Sequence, residues 1–168
     1  MPGFQCSHCK EWHEGLPDLA LESPDQYVAL SEAERQACTK NSDLCVIPGG
    51  GFFALGLIEV PIVGHPDERF GISAWVSLSE KNFVRYLDIY NATDVTGDGP
   101  WFGWFCNSIA GYPETFGLKA RLLLRPHPQR PLIELEPTKH PLAEHQRNGI
   151  TLAEAQKLVA QLLHRGVG

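Results

Sequence analysis

The sequence predicts an α+β fold, a largely antiparallel sheet of about six strands flanked by helices. Three observations point there. Two β-rich runs flank the glycine triplet Gly49-Gly50-Gly51, a hairpin pattern. Several helix starts carry side-chain capping signals, and strand-like runs outnumber helix-like ones with mostly short connections. The 168 residues, 43% hydrophobic and 20% charged, suit one ordinary globular core rather than two. The expected organisation is therefore a single domain over 1–168, with a Cys/His knuckle at 1–18 and an α+β body at 19–168.

The elements follow in chain order. Residues 1–18 form the knuckle, ending at Leu16-Pro17. Ser23-Pro24 opens a helix, because serine caps well and proline fits the first helical position. Ser31-Glu-Ala-Glu34 has the spacing of a capping box, so a second short helix carries the chain to about Thr39. Strands follow at Leu44–Pro48, Phe52–Val63 and Phe70–Leu78, the last with Ile72, Ala74, Val76 and Leu78 on one side. Ser79 caps a helix reaching Tyr90, with Phe83, Tyr86, Leu87 and Tyr90 on one face. After a polar loop at 91–100, Trp101–Cys106 reads as a short aromatic strand packed into the core. Leu118–Arg125 and Leu132–Leu135 are two more strands, joined by a proline-rich turn. Thr151-Leu-Ala-Glu154 is another capping box, starting a helix with Leu152, Ala155, Val159, Leu162 and Leu163 inward and ending at Gly166.

Composition narrows the function. A formal charge of −6 and scattered basic residues argue against a nucleic-acid surface. The longest apolar run, 52–63, is interrupted by Gly56 and Glu59 and falls short of the roughly 20 residues a spanning helix needs. No signal-peptide pattern is visible, so the expected compartment is the cytoplasm. Five cysteines in a reducing compartment are expected to be free or metal-bound.

The chemistry concentrates at the start of the chain. Cys6-Ser-His-Cys9 places two thiols around a turn, and His13 adds an imidazole one turn on. Zinc favours thiolate and imidazole in a tetrahedron, so this segment supplies two or three ligands of a site holding one Zn²⁺ per chain. The remaining ligands are sought among Cys45, His140 and His145. His8, between the thiols, is a poorer choice, and Cys38 reads as a small buried side chain. A thiol redox pair at Cys6 and Cys9 is the competing reading. It lacks a preceding βα framework, since only five residues precede Cys6.

Other suggestive patterns fail on spacing. His140-Pro-Leu-Ala-Glu144-His145 misses the inverted zincin pattern by one residue. Asp94 to Gly99 departs from a calcium loop, and the glycine triplet lacks the Lys-Ser/Thr of a phosphate loop. Glu134 and Glu136 share a strand face and read as solvated.

Several longer stretches carry a resemblance. Cys6-x-x-Cys9-x-x-x-His13-Glu-Gly-Leu-Pro17, Ser42-Asp43-Leu-Cys45-Val-Ile, Trp75-Val-Ser-Leu-Ser-Glu-Lys-Asn-Phe83, Phe102-Gly-Trp104, Gly111-Tyr-Pro113, Arg130-Pro, Leu135-Glu-Pro-Thr-Lys-His140-Pro-Leu and Gly149-Ile-Thr are similar to a bacterial family called domain of unknown function 2199. The resemblance spans nearly the whole chain. It implies a single bacterial cytoplasmic domain, with no activity attached. The family pattern includes the knuckle, Cys45 and His140, which fits them as candidate ligands, whereas the position of His145 is not a histidine in it.

Two function classes follow. One is a zinc-stabilised binding module acting on a protein partner. The other is a small zinc-dependent hydrolase that keeps an open metal position for water. Two thiolate donors reduce the acidity of a metal-bound water, which favours the binding module over the enzyme.

Overall fold

The computed structural model describes residues 3–164. Its elements run β1 (Phe4–Gln5), β2 (Trp12–His13), β3 (Leu19–Ala20), α1 (Asp25–Val28), α2 (Glu32–Gln36), β4 (Thr39–Lys40), β5 (Leu44–Ile47), β6 (Gly51–Ile62), β7 (His65–Leu78), α3 (Glu80–Ile89), β8 (Trp101–Trp104), β9 (Lys119–Leu123), β10 (Leu132–Leu135), α4 (Pro141–Asn148) and α5 (Leu152–Leu163). The fold is α+β, and its backbone is the β6–β7 hairpin. Its two long strands pair antiparallel from Phe52↔Leu78 to Pro61↔Arg69, with an irregularity at Pro61/Ile62 where proline cannot donate to the ladder. Gly64 closes the turn with φ at 83°.

Eight strands form the main sheet, in the order β3-β7-β6-β10-β9-β8, with β5 also pairing β6 and β4 pairing β5. The sheet is mixed, which corrects the largely antiparallel expectation: β3 runs parallel to β7 and β10 parallel to β6. The sequence shows hairpins, and hairpin neighbours must be antiparallel. Both parallel pairs join strands separated by long connections, whose direction no local signal records.

The sheet curls until its β8 edge returns to β7. Val76 bridges Phe105, and the Cys106 N–H donates to the Trp75 carbonyl at 2.8 Å. Glycine permits the close approach of β8 to β7 and the packing of Ile133 against β6. A Cβ on Gly103 would lie 2.4 Å from the Ser77 carbonyl oxygen, and one on Gly56 would lie 2.7 Å from Ile133. Ile58, Val76, Phe105, Leu122 and Ile133, all fully buried, fill the concave side. A second apolar cluster, Cys45, Phe53, Leu55, Trp75 and Cys106, lies on the other face with Tyr27 and Leu30 packed on it.

Helix ends follow their caps. Ser31 and Thr151 each form a complete capping box, with Glu34 and Glu154 respectively. Ser23 is not a cap: Pro24 takes that position ahead of the four-residue α1. On α3 the buried stripe is Phe83, Tyr86 and Ile89, while Leu87 is 48% exposed. The stripe centres on Tyr86, and the next residue is turned about 100° away from it. On α5 Ala155, Leu158, Val159 and Ala160 are buried, whereas Leu163 faces outward. The expected stop at Gly166 lies outside the described residues. On β8 the aromatic pair Phe102 and Trp104 points outward instead of into the core, in edge-to-face contact at 5.1 Å. Among the described residues no helix is long and apolar enough to cross a membrane.

Candidate metal centre

The knuckle is a miniature hairpin. β1 and β2 pair Phe4↔His13 and Gln5↔Trp12, and the chain between them turns tightly. The Cys6 N–H donates to the Glu11 carbonyl at 2.8 Å, and the Lys10 N–H returns to the Cys6 carbonyl at 3.0 Å. Lys10 adopts φ of 63°, a left-handed conformation, at the end of this turn. The Gln5 side-chain amide donates to the Lys10 carbonyl at 3.0 Å and the Lys10 ammonium to the Ser7 carbonyl at 2.7 Å. These bonds hold Cys6, Cys9 and His13 on one side of the turn.

α5 delivers the fourth donor. Thr151 starts the helix, its buried face docks on the core, and His164 follows directly after Leu163 at the end next to the knuckle. Cys6, Cys9, His13 and His164 place one ligand atom each within 4.8 Å of one another. Cys6 Sγ lies 3.3 Å from His164 Nε2, and Cys9 Sγ lies 3.4 Å from His13 Nε2. Around tetrahedral zinc, with Zn–S of about 2.3 Å and Zn–N of about 2.0–2.1 Å, sulfur and nitrogen ligands sit about 3.5 Å apart. The donor set and its spacing thus fit such an ion.

Burial and local hydrogen bonds tune the site. Cys6 is 1% exposed. The backbone N–H of Cys9, and then that of His8, hold its thiol below the ordinary value against the opposing effect of burial. His8 does not belong to the four-donor group; its ring stacks on His164 at 4.5 Å and helps set that imidazole's plane. The Phe4 ring packs against His13 at 5.5 Å.

The three residues among which distant ligands were sought, Cys45, His140 and His145, lie outside this cluster. Cys45 is fully buried in the Trp75 cluster, and burial pushes its thiol up to about 11. His140 caps α4: its Nδ1 accepts from the Leu142 N–H at 3.1 Å, and its Nε2 lies 3.2 Å and 3.1 Å from the Pro113 and Glu114 carbonyls. His145 sits further along α4, with Nδ1 2.9 Å from the Tyr112 hydroxyl. Cys38 packs on the Trp75 cluster. His164 was the residue sequence reasoning missed. A histidine at a helix C-terminus reads as a favourable partner for the helix dipole, so its type and place raise no metal signal.

These features define an α+β protein with a Cys/His cluster that could hold a metal ion. The chain belongs to a family described as an uncharacterised protein conserved in bacteria (DUF2199), whose model matches residues 5–150. Cys6, Cys9 and His13 fall inside that span and His164 outside it. No curated protein and no solved structure matches the chain.

Proposed function

We propose that this protein is a zinc-stabilised binding module of the bacterial cytoplasm, its centre formed by Cys6, Cys9, His13 and His164. The observation that carries this reading is the closed donor set. Four protein donor atoms, two of them sulfurs, lie within 4.8 Å of one another, and a tetrahedral ion held by all four would keep no position for a reactive water. An ion there ties the knuckle to α5, so its binding energy becomes folding energy. Five free thiols accord with a reducing compartment.

The binding role is supported by exposed apolar surface. Phe102 and Trp104 stand out from β8, and Phe116 is exposed nearby in sequence. Phe102 borders a groove of about 540 Å³ with Arg121, Glu134, Glu136 and Pro137 along its sides. An apolar surface rimmed by charge suits a protein partner.

The first test is elemental mass spectrometry on protein purified without an affinity tag or added metal, paired with melting in the presence and absence of chelator. One zinc per chain and a melt lowered by chelator are expected. Metal-free protein with Cys6 and Cys9 fully titratable, and a melt indifferent to added zinc, would sink the reading.

A further inference from the structure

A second polar site lies away from the Cys/His cluster. It is a pocket of about 360 Å³ between α3, the residues preceding β5 and the β9–β10 turn, lined by Asp43, Tyr86, Tyr90, His127, Gln129 and Arg130. Its walls are held in place. Asp43 Oδ1 accepts from Arg130 Nε at 2.9 Å, and Oδ2 accepts from the Tyr90 hydroxyl at 2.7 Å and the Ser42 hydroxyl at 3.1 Å. The turn is pinned from behind: the His127 N–H donates to the Ala92 carbonyl at 2.8 Å, and Arg125 Nε donates to the Arg130 carbonyl at 2.6 Å.

Two donors remain without partners among the described residues. Asp43 occupies only the Nε of Arg130, so both Nη atoms, the end-on fork of the guanidinium, are unbonded. Tyr86 is 8% exposed and lines this pocket, and its hydroxyl makes no hydrogen bond among the described residues. A phenol on a largely buried ring at a pocket wall is a ready donor to a ligand atom that enters the pocket. Burial holds the Tyr86 phenol well above its ordinary value, and the bond to Asp43 pushes Tyr90 up to about 12. Both keep their protons at neutral pH, so Tyr86 can donate.

We propose that this pocket binds an oxyanion, the phosphate or carboxylate group of a small ligand. The Arg130 Nη fork receives two of its oxygens, as planar guanidinium does for both groups. The Tyr86 hydroxyl donates to the anion from the buried side, and Gln129 and His127 border it. Asp43 does not repel it strongly, because both carboxylate oxygens already accept hydrogen bonds and its charge faces Arg130. Arg125 behind the turn adds a second positive charge.

The test uses the full chain with its native metal content. Binding of inorganic phosphate and, separately, of succinate is followed by amide chemical shifts and calorimetry, with sodium chloride holding ionic strength constant. Saturable binding of one or both is expected, with shifts at residues 127–130 and around Tyr86. Phosphate alone identifies a phosphoryl ligand, succinate alone a carboxylate ligand, and both the shared chemistry. Tyr86→Phe removes one oxygen and keeps the ring, and Arg130→Lys keeps the charge and loses the fork. Each is expected to weaken binding by about tenfold while the melt stays close to that of the parent. No saturable binding of either anion, or undiminished binding in both variants, would overturn the proposal.

Discussion

His164 and His140 are both histidines beside helix termini, and their surroundings give them different work. His164 joins two thiols and a second imidazole, whereas His140 spends its ring on the Leu142 N–H and on two carbonyls. His164→Ala is therefore expected to weaken zinc retention by at least about tenfold in a competition titration with a chromophoric chelator. His140→Ala is expected to leave zinc affinity unchanged and to lower stability by about 1 kcal/mol through loss of the cap. Equal metal affinity in the two variants would remove His164 from the centre. Cys9→Ser gives a complementary reading, because Cys9 carries no core packing comparable to that of Cys6. Its melting temperature is expected to fall toward that of the chelator-treated parent, and addition of chelator to the variant is expected to lower it little further. Of the four clustered donors, Cys6, Cys9 and His13 were legible because their spacing is local. His164 was not, since its partner Cys6 lies 158 residues away and only the packing of α5 brings them together.

Among the elements, β8 decides how the sheet is finished. Its close approach to β7 requires the bare backbone of Gly103, where a Cβ would meet the Ser77 carbonyl oxygen. Gly103→Ala must push the two strands apart, and a cost of about 1–3 kcal/mol is expected from urea denaturation. A neutral result would mean that this edge is more pliant than the close approach implies. The sequence made the existence of most elements readable: the caps at Ser31, Ser79 and Thr151 are where their residue types place them. It left the outward turn of Phe102 and Trp104 unread, because alternation tells two faces apart without saying which is solvated when both carry aromatic or small residues. The strand directions of β3 and β10 escaped for a related reason. Each makes its parallel pair with a strand distant in sequence, where no turn sets the register.

Across the molecule, several carboxylates are held ionised by their neighbours. Burial pushes Asp43 up, but hydrogen bonds from Tyr90, Arg130 and Ser42 bring it below its ordinary 3.8. Arg85 holds Asp98 down, and the capping boxes of Ser31 and Thr151 do the same to Glu34 and Glu154, below the ordinary 4.5 for glutamate. A group whose folded value is depressed contributes stability that is fully present above its unfolded value and is lost as pH falls through the folded one. The urea midpoint is thus expected to hold steady down to about pH 5 and to drop progressively below about pH 4. Chelator present at every pH keeps metal release out of the comparison. A midpoint that rises on acidification would contradict the assignment.

The Cys6–His164 contact also has a consequence for synthesis. A growing chain emits Cys6 158 residues before His164, the imidazole it meets. Until then only three of the four donors of this cluster exist, and a product interrupted before α5 keeps that open set. On the zinc reading, tight metal retention becomes a mark of a chain translated through α5. Prematurely terminated copies would exchange their ion readily and expose Cys6 and Cys9 to alkylation or oxidation.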